Sequence, residues 1–227
     1  NIKAMILPEG KRVGIDELSE IAESGWTEPI EINAYCDNGF STFFNRGIVM
    51  SQYVARILRK NEWEPKDILE NIEKIEDPLR IFLSGELRIE MLNMINEVSK
   101  NTDLELYAAL YELNDRELID GLKSLRERAH IVLANGSDKK GDENVHAREE
   151  LRSVNVDVHD RMLGGKGLGH NKFAVVVKDK KNAIRAWTGS TNWTFTGLCT
   201  QLNNGILIES PEIAGIFLNQ WIKLKDA

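Results

Sequence analysis

From Leu104 to Glu112 the chain reads "LELYAALYE", a nearly unbroken apolar run. From Asp115 to Ala129 it reads "DRELIDGLKSLRERA", with apolar residues at helical spacing. The first pattern predicts a buried strand and the second an amphipathic helix. The alternation continues: "HIVLANG" reads as a strand, "DENVHAREELRS" as a helix and "VNVDVH" as a short strand. Just upstream, "LRIFLSG" is strand-like and "ELRIEMLNMINEVSK" helical. Strands and helices joined by short connections predict an α/β sheet whose early strands are parallel. The rhythm then changes. "KFAVVV", the turn "KDKKN" and "AIRAWT" predict a β-hairpin, followed by a polar helix or loop. The strand "GILIES" and a closing helix "PEIAGIFLNQWIKL", with Pro211 near its first turn, complete the pattern.

Residues 1–77 differ, with 15 acidic against 9 basic side chains. "KRVGIDELSEIAESG" suggests a strand or loop and a short helix ended by Gly25. "VMSQYVARILRKNEW" and "EPKDILENIEKI" read as two further helices, and "NAYCDNGFSTFF" as a loop carrying core aromatics. The organisation predicted is a mainly helical N-terminal extension, 1–77, and a mixed β-sheet flanked by helices, 78–227.

Composition narrows the class. Hydrophobic residues at 42% and charged residues at 29% suit a soluble globular protein of 227 residues. There is no apolar run long enough to span a membrane, so no stable membrane insertion is expected. Cys36 and Cys199 lie far apart without a CxxC, as expected of two reduced thiols in a cytoplasmic protein. The net charge of −7 argues against a general nucleic-acid coat. The local balance differs: Asp160–Ser190 holds seven Lys or Arg against two Asp, a local +5, leaving −12 for the rest.

That basic stretch contains "GHNKFAVVVKDKKNAIRAWTGSTNWT". On a strand His170 and Lys172 project from one face, roughly 6–7 Å apart. Ser190 and Asn192 share their parity in the same way. A turn centred near Lys180 sets His170 opposite Ser190 and Lys172 opposite Thr188, so two distant polar pairs meet at one end of one hairpin. The glycines of "GGKGLGH" allow close backbone approach to a ligand but make no P-loop. A neutral imidazole is a competent nucleophile toward phosphorus, and a Lys and an Asn can stabilise phosphoryl oxygens. The set fits phosphoryl transfer without metal or cofactor better than acyl transfer or zinc hydrolysis, whose residue trios are absent.

"HNK", a hydrophobic strand and "GSTN" resemble the HxK…GSxN signature of the phospholipase D superfamily, over about residues 78–227, one half-unit of its bilobal fold. "LYAALYELNDRELIDGLKSL" resembles the strand–helix segment ahead of that signature. The resemblance implies that His170 forms a phosphohistidine, that Lys172 and Asn192 grip the phosphate, and that Ser190 supports the pocket. Gly189 of the motif, with Asn203, Trp193 and Lys166, completes the expected substrate-binding set. Two positions depart from the family pattern. Val177 stands where an Asp is usual, Asp179 falling instead in the turn. Asn203 stands where many members carry a Glu near the His, leaving an amide oxygen to accept the imidazole N–H.

This chemistry uses two histidines, one to attack and one to protonate the leaving oxygen. Only His170 sits in an HxK; His130 reads as structural, His146 as solvent-facing and His159 as a strand-end residue. The second His is expected from an identical chain across a two-fold axis, or from a sister half elsewhere in a longer protein. Three functions remain open. The preferred one is a phosphodiesterase acting on DNA or RNA, with the basic stretch on phosphates and Trp187 and Trp193 either stacking on bases or buried in the core. The second keeps the chemistry on a phospholipid, as a phospholipase or phosphatidyltransferase. The third is a catalytically idle nucleic-acid-binding or assembly domain, for which Val177 and Asn203 speak.

Overall fold

The alternating pattern folds, in a computed structural model, into a mixed sheet flanked by helices, with residues 5–6, 22–23, 39–48, 51–136, 141–164 and 167–227 described. Asn1–Ala34 is one compact unit and Tyr35–Ala227 another. In the first, strands β1 (Met5–Ile6) and β2 (Ala22–Glu23) pair antiparallel. Ala22–Glu23 is therefore strand where the sequence suggests a short helix before Gly25; the remaining positions of that helix, and Cys36, lie outside the described residues.

The second unit begins with β3 (Phe40–Phe44), α1 (Gln52–Asn61), α2 (Asp67–Glu73) and α3 (Pro78–Lys100). Then come β4 (Leu104–Leu110), α4 (Arg116–Leu125), β5 (Ala129–Ala134), α5 (Val145–Ser153) and β6 (Asp157–Arg161). The hairpin strands β7 (Lys172–Lys178) and β8 (Asn182–Gly189), a short α6 (Phe195–Cys199), β9 (Asn204–Ile208) and α7 (Pro211–Lys225) follow. Seven strands lie in the order β3-β9-β8-β7-β4-β5-β6. As the βα rhythm predicts, β4, β5 and β6 run parallel. The remaining neighbours, from β4–β7 out to β9–β3, are antiparallel.

Two segments differ from the sequence reading. "LRIFLSG" is helical, the opening of α3, where a strand is expected. Asp77 caps it through its carboxylate to Leu79 N, and Pro78 occupies the first turn, so the start signal outweighs the short apolar run. Leu79, Leu83 and Leu87 then repeat every fourth position as one buried stripe, although Gly85 interrupts the helix at φ 55°. The loop expected at "NGFSTFF" contains edge strand β3 instead. Its burial alternates as on a half-covered sheet, and Phe43 stacks on Trp187 at 5.8 Å.

Helix α7 covers one face of the sheet. Ser210 caps it, and Ala214, Trp221 and Leu224 pack on Phe173, Val175, Val177, Ala183 and Ala186. Ala183 and Ala186 share this face despite odd spacing because a β-bulge interrupts the hairpin: Val176 pairs with Arg185 but Val177 with Ala183, leaving Ile184 over. Asp179 and Lys180, both at positive φ, make the hairpin turn. On the other face Trp187 lies so close to Gly205 that a Cβ there would come within 2.1 Å of its ring, with Leu87 of α3 at 2.8 Å.

This topology gathers four strand ends. Leu110, the last residue of β4, pairs with Lys172, the first of β7. Gly189, the last of β8, pairs with Gly205 at the start of β9. The beginning and end of the predicted motif thus meet at one rim of the sheet.

Candidate functional site

His170 sits in a bend immediately before β7, where Asn171 N donates to Gly169 O at 2.8 Å. Strand parity therefore does not place it. Tyr111, just past the end of β4, does: the imidazole meets its ring edge-on at 4.7 Å, and the Lys172 ammonium lies 5.0 Å from the same ring's centroid. His170 is exposed, whereas Lys172 is 8% exposed and its Nζ has no hydrogen-bond partner among the described residues. Desolvation lowers the imidazole pKa, and the neighbouring Lys172 charge lowers it further. Burial likewise lowers the Lys172 pKa, with the Glu112 carboxylate acting in the opposite sense. The arrangement holds an imidazole of lowered pKa beside a buried ammonium that has no hydrogen-bond partner among the described residues.

Asn192 reaches this rim through the backbone. Leu113 and Trp193 form a parallel bridge, Trp193 N donates to Glu112 O, and Asn114 N and Asp115 N donate to Trp193 O. The Asn192 amide then donates to Glu112 Oε2 at 2.6 Å, while its own buried Oδ1 has no partner among the described residues. Asn144, on the other side, accepts from Leu113 N and donates to Tyr111 O and Ala134 O, fixing the backbone around Glu112.

Ser190 is exposed and belongs to a different set of bonds. Its Oγ donates to Asn203 Oδ1 at 2.8 Å and accepts from Asn204 N at 3.0 Å. Asn203 in turn donates to Gly197 O. Its amide oxygen is thus engaged by Ser190, and no bond from it to His170 is found. Buried Asn45 anchors the same loop, accepting from Asn203 N and donating to Gly197 O, Leu198 O and Gln201 O.

The expected register is displaced by one residue. Phe173, not Lys172, pairs with Thr188, because the bulge at Ile184 shifts the hairpin beyond Val176. His170, Lys172, Phe173, Thr188 and Gly189 nevertheless line one cavity of about 600 Å³, whose other wall is α7. Gly189 also has a packing reason to lack a side chain, since a Cβ would lie 2.3 Å from Asn204 O. Trp187 and Trp193 are each 1% exposed and present no face to a base. Val177 is fully buried under α7. Lys166 lies outside the described residues. His146 is exposed on α5, and His130 and His159 both bond Asp157 Oδ2, at 2.9 and 3.0 Å, away from the cavity lining.

Tyr111 and Glu112 escape the sequence reading, which sees only the end of an apolar run. Their position at the carboxyl end of a parallel strand is the available signal, because open α/β sheets place ligands there.

The family described as "cardiolipin synthase, PLD-like domain" matches residues 91–224. A curated protein of Rickettsia conorii, "Phospholipase D", is 29% identical over 133 residues, which is 57% of this chain and 61% of that protein. The chain thus spans less than two thirds of this relative's length. Among solved structures, Nuc from Salmonella typhimurium, a phospholipase D family member, has a TM-score of 0.48 at 19% identity, over 60% of this chain and 84% of that one. NucT from Helicobacter pylori has a TM-score of 0.45 at 18% identity, over 60% and 87%.

Proposed function

The chain belongs to the phospholipase D superfamily, and from that premise we propose that it is a phosphodiesterase acting through a phosphohistidine at His170, with nucleic acid as substrate. The observation that carries the reading is the meeting over Tyr111, in one open cavity, of His170 and a buried Lys172 whose ammonium has no hydrogen-bond partner among the described residues. A buried ammonium without a hydrogen bond is costly and calls for an anion.

In the proposed reaction the neutral imidazole attacks phosphorus along the line of the leaving oxygen. A P–N bond forms as the P–O bond breaks, and a second histidine delivers a proton to the departing alkoxide. Lys172 and Asn192 stabilise the charge on the phosphoryl oxygens. Water, deprotonated by the same second histidine, then attacks phosphorus and releases His170. That second histidine comes from a second copy of this chain or from another half-unit in a longer protein.

Nucleic acid is favoured by the cavity's own charge: Lys172 and Lys223 line it, with no Asp or Glu on the lining among the described residues. Exposed apolar side chains favour the second reading, a phospholipid: Ile216 in the cavity wall is 64% exposed, and Leu168, two residues before His170, 61%. The test incubates the protein with labelled single- and double-stranded oligonucleotides and with phosphatidylcholine vesicles, with and without EDTA. Chelator-resistant oligonucleotide cleavage that His170→Ala abolishes is the expected result. Release of choline or phosphatidate instead would assign the lipid, and oligonucleotide binding without turnover, unaltered in His170→Ala, would mark an idle domain.

A further inference from the structure

A scissile phosphate fills a small part of the cavity at His170, whose volume of about 600 Å³ lies within the roughly 300–1,000 Å³ that encloses a whole small ligand. The remainder is walled by α7, with Ile216, Asn219, Gln220 and Lys223 on its lining and Phe217 beside Phe173 at 5.3 Å. These four positions follow i, i+3, i+4, i+7 and form one helix face, rising about 10 Å along the axis. Core packing does not account for them, since the buried residues of α7 are Ala214, Trp221 and Leu224. Asn219, Gln220 and Lys223 are exposed, and their side chains make no hydrogen bond or ion pair among the described residues. Two lysines and no Asp or Glu line the cavity among the described residues, in a chain of net charge −7.

Resting on the nucleic-acid reading above, we infer that the α7 stripe is the subsite for the nucleotide next to the scissile phosphate, with Lys223 pairing the neighbouring phosphate. Ile216 and Phe217 give the nucleoside an apolar wall, and the two amides reach the hydrogen-bonding edge of its base. The order apolar, amide, cation matches a nucleotide. It does not match an acyl chain, which would desolvate both amides and the ammonium without replacing their hydrogen bonds.

The test measures binding of a fluorescent, cleavage-resistant single-stranded phosphorothioate oligonucleotide across a salt series, with wild type, Lys223→Ala and Lys223→Arg. Hydrolysis of bis(p-nitrophenyl) phosphate, which lacks a second phosphate, is followed beside it. Lys223→Ala is expected to weaken oligonucleotide binding about five- to tenfold and to flatten its salt dependence by about 0.7 in log–log slope. Lys223→Arg retains both, and turnover of the small diester stays unchanged. Unaltered binding in Lys223→Ala, or equal losses on both substrates, would overturn the subsite. So would an effect confined to anionic phosphatidylglycerol vesicles, or a wild type that binds no oligonucleotide. A wild type that binds through Lys223 but does not cleave the natural backbone leaves the subsite standing and removes the nuclease reading alone.

Discussion

At Lys172 a cation is held out of water with only a tyrosine ring beneath it and no hydrogen bond among the described residues. Lys172→Met keeps an unbranched side chain, one heavy atom shorter, and removes the charge. The variant is expected to melt about 2–4 °C higher, the shift of roughly 1 kcal/mol in a domain of this size, while diester turnover falls about a hundredfold or more. A lower melting temperature would show that the ammonium is structural. The imidazole makes a second prediction. Its folded pKa is below the ordinary 6.5, by desolvation first and Lys172 second. The ring is therefore still mostly neutral at pH 6.5, and for the proposed attack by His170 the acid limb of kcat/KM lies below that pH. Between those two values the unfolded chain binds the extra proton, so this group's contribution to stability declines as pH falls through that window. Titration of the His170 ring by NMR should show the depressed value, and a rise toward 6.5 in Lys172→Met. At this scale the sequence names His170, Lys172, Ser190 and Asn192, since short motifs preserve local spacing. Tyr111 and Glu112 are invisible because only strand pairing brings them within reach of residues some sixty to eighty positions away.

The elements carrying these side chains are fixed by buried amides. Asn144 satisfies Leu113 N, Tyr111 O and Ala134 O at once. Asn144→Ala strands those groups and is expected to destabilise the fold by about 1–3 kcal/mol, with turnover lost beyond the unfolded fraction because Glu112 loosens its hold on Asn192. Urea unfolding combined with activity at full folding separates the two effects; a normal kcat would show that this anchor does not position the site. Periodicity is enough to read most elements here, from the parallel βα units to the hairpin and α7. It fails at α3, where a run of apolar residues outshone the Asp77–Pro78 start. It also fails at the hairpin register, because one bulged residue, Ile184, leaves no compositional trace yet moves every pair beyond it.

For the whole molecule, the proposed two-histidine reaction calls for a second half, because the sequence holds one HxK. If two identical chains share a site needing both His170 rings, subunits exchanged with an equal amount of His170→Ala will lose about half the activity per wild-type chain. Unchanged specific activity after exchange would point to a second half carried within a longer protein. The sign of the basic stretch is legible in the sequence, as is the placing of Lys178, Lys180 and Lys181 at the hairpin turn, the opposite end of β7 from Lys172. The contribution of Phe40–Phe44 is hidden, since five residues of edge strand resemble a loop until β9 lies beside them. That strand and Asn45 just after it precede the family-matched segment, 91–224. A chain trimmed to that segment would open the indole of Trp187 to solvent, offer β9 as an unguarded border for other molecules, and release the tether of the Gln201–Asn203 loop. Such a fragment is expected to run as larger species on size-exclusion chromatography than the longer chain, so the part that advertises the chemistry depends on a neighbour that carries no motif.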